Sequence, residues 1–240
     1  VIPTLKYEDF LKYHEEYYHP SNSYIYIYGD MDVNERLEYL DREYLSDFDV
    51  SDVDIHANIE RQAAFDKPVY ETKPYAITED ESLEDNTYLS YNAVIGTSVD
   101  AKLYLAFQIL DYALVMTPGA PVKQALLDAG ISTDVYSSYE TSLYQPVYSI
   151  VAKNSNSKEQ GRFVSVINDT LEKLVKDGIN ERTIEAGINY YEFKYREADY
   201  GPYPKGLMYY LTMMDSWLYD ETKPFIHIEA GDTFDELKKD

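Results

Sequence analysis

The sequence contains no cysteine. That absence excludes disulfide stapling, a thiolate nucleophile and any cysteine-based zinc site, and it suits a reducing compartment, with the cytoplasm as the expected location. Basic residues are also scarce. The 21 Lys and Arg face 44 Asp and Glu, a net charge of -23, which removes the phosphate attraction that nucleic-acid binding requires. No apolar run approaches the roughly 18 to 20 residues needed to cross a bilayer, and no signal peptide precedes the first helix, so no membrane role is expected. Histidine occurs four times and tryptophan once, against 27 tyrosines. Catalytic imidazoles have few places to be, and packing surfaces gain amphipathic bulk.

The acidity is concentrated. Between Asp30 and Ser90 there are 18 acids and 5 bases, which reads as a solvated acidic surface or as an acidic wall that attracts basic peptides. Phe10, Leu11, His14, Tyr17 and Tyr18 recur at helical spacing, with Lys12, Glu15 and Glu16 opposite, so an amphipathic helix is predicted to end near His19, where Pro20 cannot continue it. His14 is expected on the inner face of that helix and His19 at its exit turn. Tyr24, Tyr26 and Tyr28 then alternate with Ile25 and Ile27, the pattern of a central strand covered on both faces. A second helix is predicted from Val33 to Leu45. The acidic, aperiodic stretch from Phe48 to Pro74 reads as a linker.

A second unit follows. It comprises a strand at Asn86–Val94, a helix at Asp100–Met116 broken by Thr117-Pro118-Gly119, and a short helix from Pro121 to Ala129 closed by Gly130. Strands at Ile131–Tyr139 and Gln145–Ala152 are expected to pair as a hairpin. A helix from Ser157 to Lys176 stops at Asp177-Gly178, and Asn180 caps another that runs to about Ala198. After the break at Tyr200–Pro204 a final helix from Lys205 to Leu218 carries the single Trp, and Phe234–Asp240 is a polar helix-like run. Strands followed by long helices predict an α+β fold, an antiparallel sheet with helices packed on one face.

Metal and nucleophile chemistry finds little support in these residues. His14-Glu15-Glu16-Tyr17-Tyr18-His19 invites comparison with H-E-x-x-H, yet Tyr18 holds the fifth position, so His19 is one residue late and about 100° away on an ideal helix. The inverted H-x-x-E-H form fails too, because Tyr17 stands at the glutamate position. His56 and His227 have no second histidine at ligand spacing, although Asp52, Asp54 and Glu229 are near, and both are expected as packing or surface residues. Gly201–Gly206 lacks the strand and the Lys-Ser/Thr pair of a phosphate loop and reads as a break between helices. No serine has a nearby histidine and acid in a triad order. Catalytic, cofactor-binding and metal-binding residues are therefore all expected to be none.

V-I-P-x-L at residues 1–5, E-D-F at 8–10, Y-Y-H-P-S-N at 17–22 and the aromatic alternation ending in Gly29-Asp30 resemble the pitrilysin/insulinase zinc metallopeptidases, on the presequence-protease branch. A-P-V-K-Q-A-L-L-D-A-G-I at 120–131, L-Y-Q-P-V at 143–147, Y-E-F-K-Y-R-E at 191–197 and G-P-Y-P-K-G-L at 201–207 are similar to the second domain of that branch. Lys6 departs from the pattern, since relatives commonly place a capping Thr there. The resemblance implies that residues 1–50 end a first peptidase-type domain, 51–68 form a linker and 69–240 a second, non-catalytic domain, so that the chain is an internal piece of a zinc-dependent endopeptidase. It implies zinc in the parent protein, bound by two histidines and a distal glutamate that precede Val1, and an Arg/Tyr substrate pair beyond Asp240. None of these is expected here. The implied partners are unfolded peptides enclosed in a chamber, and the alternative is a non-catalytic scaffold or partner-binding subunit of the same fold. A bacterial cytoplasm, or an organellar matrix or stroma in a eukaryote, is the implied location. Self-association through a strand edge at Tyr24–Tyr28 is also expected.

Overall fold

The computed structural model describes residues 2–49 and 59–239. The chain forms two units, Val1–Glu60 and Arg61–Asp240. His56, Asp52 and Asp54, with residues 51–58 of the expected linker, lie outside the described residues.

In the first unit α1 spans Tyr7–Tyr17 and α2 spans Val33–Leu40, continued by a π-helical turn at Asp41–Leu45. Lys6 gives α1 no side-chain cap, and Glu8 and Asp9 in the first turn complement the helix dipole instead. Asp32 caps α2 by accepting from Glu35 N at 3.1 Å. Residues 23–28 correct the expected central strand: they run without regular structure and join no ladder. The Tyr/Ile alternation favours an extended backbone, but a strand is completed only by a neighbour, and all three strands of the described residues belong to the second unit. No described residue of the first unit is buried, and Phe10 and Leu37 remain 62% and 53% exposed.

The second unit holds β1 (Thr87–Val94), β2 (Asp134–Glu140) and β3 (Val147–Ser155) in the order β1-β3-β2, antiparallel throughout. The expected hairpin is β2 with β3. In register, Leu89, Ala152 and Val135 form one row of the inner face, and Ala93, Tyr148 and Tyr139 another. The row Asn92, Ser149 and Ser138 on the opposite face is polar, and Ser149 Oγ donates to Asn92 Oδ1 at 2.7 Å. Onto the inner face pack α4 (Pro121–Asp128) and α5 (Gln160–Asp177), which bring Val122, Leu126, Phe163 and Ile167 into one core. Gly178, at φ +83°, ends α5 where the sequence places its stop, and its N–H bonds Leu174 O.

The apolar helix α3 (Ala101–Asp111) continues into a π-helical turn at Tyr112–Met116, which buries Ala113, Leu114 and Val115 in succession. The stretch Ala101–Asp128 has the length and mean hydropathy, 1.2, of a membrane span, contrary to the reading of the sequence alone. Much of it is buried in the core, however, and Thr117–Ala120 interrupts it. This is the pattern of a core helix. Across α3 lie α6 (Glu181–Glu197), capped by Asn180 as expected, α7 (Lys205–Trp217) and α8 (Gly231–Leu237). The C-terminal polar run is more than a solvated tail, because Phe234 is 2% exposed and packs with Leu105, Ile109 and Ile188.

Gly187 sets the closeness of α3 and α6. A Cβ there would stand 3.2 Å from both Ile109 Cγ2 and Tyr112 Cδ1, and 3.3 Å from Ile109 O. Gly187→Val is expected to destabilise the second unit by about 1–3 kcal/mol. Gly161→Ala, where nothing lies within 4 Å, should leave it unchanged or gain about 0.5–1 kcal/mol. Denaturant midpoints of the two variants measure the contrast.

Candidate functional site

Within the largely apolar helix α3, Gln108 and Asp111 are polar residues three apart, which sets them on one face. The end of β2 brings Tyr139 and Thr141 opposite them, and α6 adds Tyr191. Together these five line a cavity of about 280 Å³ that opens to solvent. Asp111 is 5% exposed, and its Oδ1 accepts from Tyr148 Oη at 2.8 Å. Phe107 packs its ring on Tyr139 and Tyr148, which fixes both tyrosines.

A second carboxylate stands behind the cavity wall. Asp215 on α7 accepts from Tyr104 Oη at 2.7 Å and from Thr141 Oγ1 at 3.3 Å. Tyr104 stacks on His227 with ring centroids 3.9 Å apart, and His227 Nε2 lies 2.8 Å from Ser98 O, so that nitrogen carries the proton and donates. Thr141 thus joins the cavity to a part-buried chain of Asp215, Tyr104, His227 and Ser98.

Burial raises the pKa of Asp111, and the Ser137 and Tyr148 hydroxyls offset part of that shift. Ser137 Oγ is close to the carboxylate but makes no hydrogen bond of good geometry. Asp215 is likewise raised by burial and pulled back by Tyr104 and Thr141. Tyr139 and Tyr191 are pushed up to about 12, chiefly by burial, with Asp100 and Asp111 respectively adding to the shift. Tyr104 and Tyr148 are raised by burial and then by Asp215 and Asp111. The hydroxyls therefore stay protonated and act as donors. The cavity can hold a polar or cationic group, but its residues include neither a nucleophile with an adjacent base nor a metal-ligand set. Among the described residues no group of three or more His, Asp and Glu side chains is placed to bind a metal.

The histidines considered from sequence lie elsewhere. His14 is exposed and stacks on Tyr18 at 4.6 Å, a correction to its expected inner position, because nothing in the first unit covers that helix face. His19 performs the expected turn role: its Nδ1 faces Ser21 N at 3.2 Å and Ser21 Oγ at 2.7 Å. His227 is a packing residue. Sequence reasoning missed Gln108, Asp111, Tyr139, Thr141 and Tyr191. One signal was available, since Asp111 is a lone acid inside the most apolar helix, and a buried charge there requires donors. A second is spacing: Gln108, Asp111 and Tyr112 stand at the intervals of H-x-x-E-H, with an amide and a phenol where that motif has imidazoles.

An α+β unit built in this way, with Q-x-x-D-Y on its central helix, is a peptidase-type domain without a metal-ligand set. The chain belongs to the family described as the peptidase M16 inactive domain, whose profile matches residues 4–191. Protein HypA of Clostridium perfringens (strain 13 / Type A) is 43% identical over 237 residues, covering 99% of this chain and 24% of its own length. Presequence protease 1, chloroplastic/mitochondrial, of Arabidopsis thaliana is 33% identical over 239 residues, covering 99% of this chain and 22% of its own. The chain thus spans about a quarter of the length of the curated relatives it matches. A protease from Helicobacter pylori shares the fold at a TM-score of 0.53 and 15% identity, over 99% of this chain and 57% of that one.

Burial lowers the pKa of His227 from 6.5 to about 4. Between those values the unfolded chain binds more protons than the native state, so stability is full above about 6.5 and falls as the pH drops through this window. Asp111 and Asp215 act in the opposite sense: their raised values contribute stability that is present at low pH and lost as pH rises through them. Their contribution cancels when wild type is compared with His227→Asn. That difference in unfolding free energy should be flat above pH 6.5 and fall by on the order of 3 kcal/mol by pH 4, as urea titrations across pH would show.

Proposed function

We propose that this chain forms part of the non-catalytic wall of a zinc-dependent endopeptidase that encloses unfolded peptides, with the zinc site elsewhere in the longer protein. The observation that carries this reading lies at the centre of the domain: α3 and the π-helical turn after it hold Gln108, Asp111 and Tyr112 at the H-x-x-E-H intervals, residues that make no metal-ligand set. We assign no catalytic, cofactor-binding or metal-binding residue to this chain. The division at residues 1–50, 51–68 and 69–240 is proposed as the functional one. A bacterial cytoplasm, or an organellar matrix or stroma in a eukaryote, is the proposed location, in keeping with one bacterial relative and one named chloroplastic/mitochondrial.

A direct test compares the 240-residue chain with the full-length polypeptide. The chain alone, supplied with zinc, is expected to cleave no unstructured fluorogenic peptide, whereas the full-length protein should cleave it in a chelator-sensitive manner. Cleavage by the chain alone would overturn the reading, and an inert full-length protein would favour a scaffold subunit instead.

Self-association of the isolated chain is also proposed, through the apolar side chains that the first unit exposes on α1 and α2, among them Phe10, Leu11 and Leu37. Light scattering should report oligomers at moderate salt, where the repulsion of -23 per chain is screened beyond about 8 Å. Leu11→Lys together with Leu37→Lys should return the chain to monomers.

A further inference from the structure

The cavity at Asp111 has an unbalanced wall. Asp111 and Asp215 have no cationic partner among the described residues, and no Lys or Arg lines the space. Asp111 Oδ1 is taken by Tyr148, and the Ser137 hydroxyl stands beside the carboxylate, so only uncharged hydroxyls face this acid. Independently, Tyr139 lines the same cavity, and its hydroxyl is buried with no hydrogen-bond partner. That oxygen can accept. Buried carboxylates in native proteins are normally paired with a cation, and a positively charged donor of several N–H groups would complete what hydroxyls alone supply here.

Size and shape narrow the choice. About 280 Å³ is smaller than the roughly 300–1,000 Å³ of sites that bury whole small molecules, yet it admits the end of one long side chain. The walls include the rings of Tyr139 and Tyr191, and aromatic faces favour a guanidinium, whose planar fork also suits a carboxylate. The net charge of -23 draws basic segments toward the chain before any contact is made.

We propose that this cavity is the receptor for a single arginine side chain of a bound peptide, its guanidinium meeting Asp111 with Tyr139 and Tyr191 beside it. The proposal rests on the reading of this domain as a peptide-facing wall. It adds a function: the domain grips substrates at a position that does no chemistry. The Asp111 pair with Tyr148 holds the carboxylate in place, and Thr141 ties the cavity rim to the Asp215 cluster behind it.

The test is isothermal titration of the 240-residue chain with acetyl-Gly-Arg-Gly-amide and with the same tripeptide carrying citrulline, which keeps the shape and loses the charge. The arginine peptide should bind at least about tenfold more tightly than the citrulline peptide, because an unpaired buried charge costs more than that. Asp111→Asn keeps an oxygen for Tyr148 and should weaken arginine binding by a similar factor without lowering the thermal midpoint. A second variant does not depend on removing the acid: Gln108→Lys sets an ammonium three residues before Asp111 on the same face. It should block the peptide and raise the thermal midpoint, whereas Gln108→Met should not raise it. Equal affinity for the citrulline peptide, undiminished binding by Asp111→Asn, or a lysine variant no more stable than the methionine one would each overturn the proposal. None of these outcomes bears on zinc content or on cleavage by the full-length protein, so the wall reading stands or falls separately.

Discussion

Helix α3 has to satisfy two cores at once, and the second unit is arranged around that requirement. Leu105 and Ile109 pack toward α6 and α8, while the π-helical turn that follows sends Leu114 and Val115 into the core shared by the sheet, α4 and α5. Phe107 adds ring contacts to Tyr139 and Tyr148. A helix gripped from several sides is apolar almost all round, which is why its hydropathy matches that of a membrane span. Gly187 then lets α6 approach to van der Waals contact with Ile109 and Tyr112. The few polar side chains of α3 are left with one direction to face, and Gln108 and Asp111 take it.

Placing carboxylates at that position raises the question of what supplies their hydrogen bonds in a chain with so few bases. Tyrosine is the structural answer. Tyr148 and Tyr104 each fill core volume with a ring and deliver a hydroxyl to Asp111 and Asp215. Burial keeps those hydroxyls protonated, so they remain donors at every pH at which the fold persists. Replacing Tyr148 by Phe would preserve the packing and remove the hydroxyl bonded to the buried Asp111, a loss of about 1–3 kcal/mol. Part of the unusual tyrosine content therefore has a specific electrostatic role.

The elements of the second unit were legible because their signals are local. Pro118-Gly119, Gly130, Asp177-Gly178 and Asn180 mark ends that the structure reproduces, and the β2–β3 hairpin follows from two adjacent β-rich runs. The segment 23–28 was not legible as it stands, since alternation specifies an extended backbone but pairing is supplied by other chain segments. The role of Phe234 was hidden for a similar reason: a single aromatic in a polar heptapeptide carries no periodicity, and only the arrival of α3 and α6 makes it a core residue. The cavity was invisible as a site because its five residues come from three elements, and only Asp111, an acid in an apolar helix, departs from its local context.

The strand order β1-β3-β2 has a consequence for biosynthesis. The central strand is the last of the three to be made, with roughly fifty residues separating the end of β1 from the start of β3. At the ~5–20 residues per second of translation, β1 emerges several seconds before the only strand it pairs with, carrying Leu89 and Tyr91 without a sheet to bury them. The β2–β3 hairpin, by contrast, closes within a short loop on a microsecond scale. The template is thus made last, and β1 is recruited backwards onto a preformed hairpin. During that interval Ser90 and Asn92, which alternate along it, lower the apolar character of one of its faces.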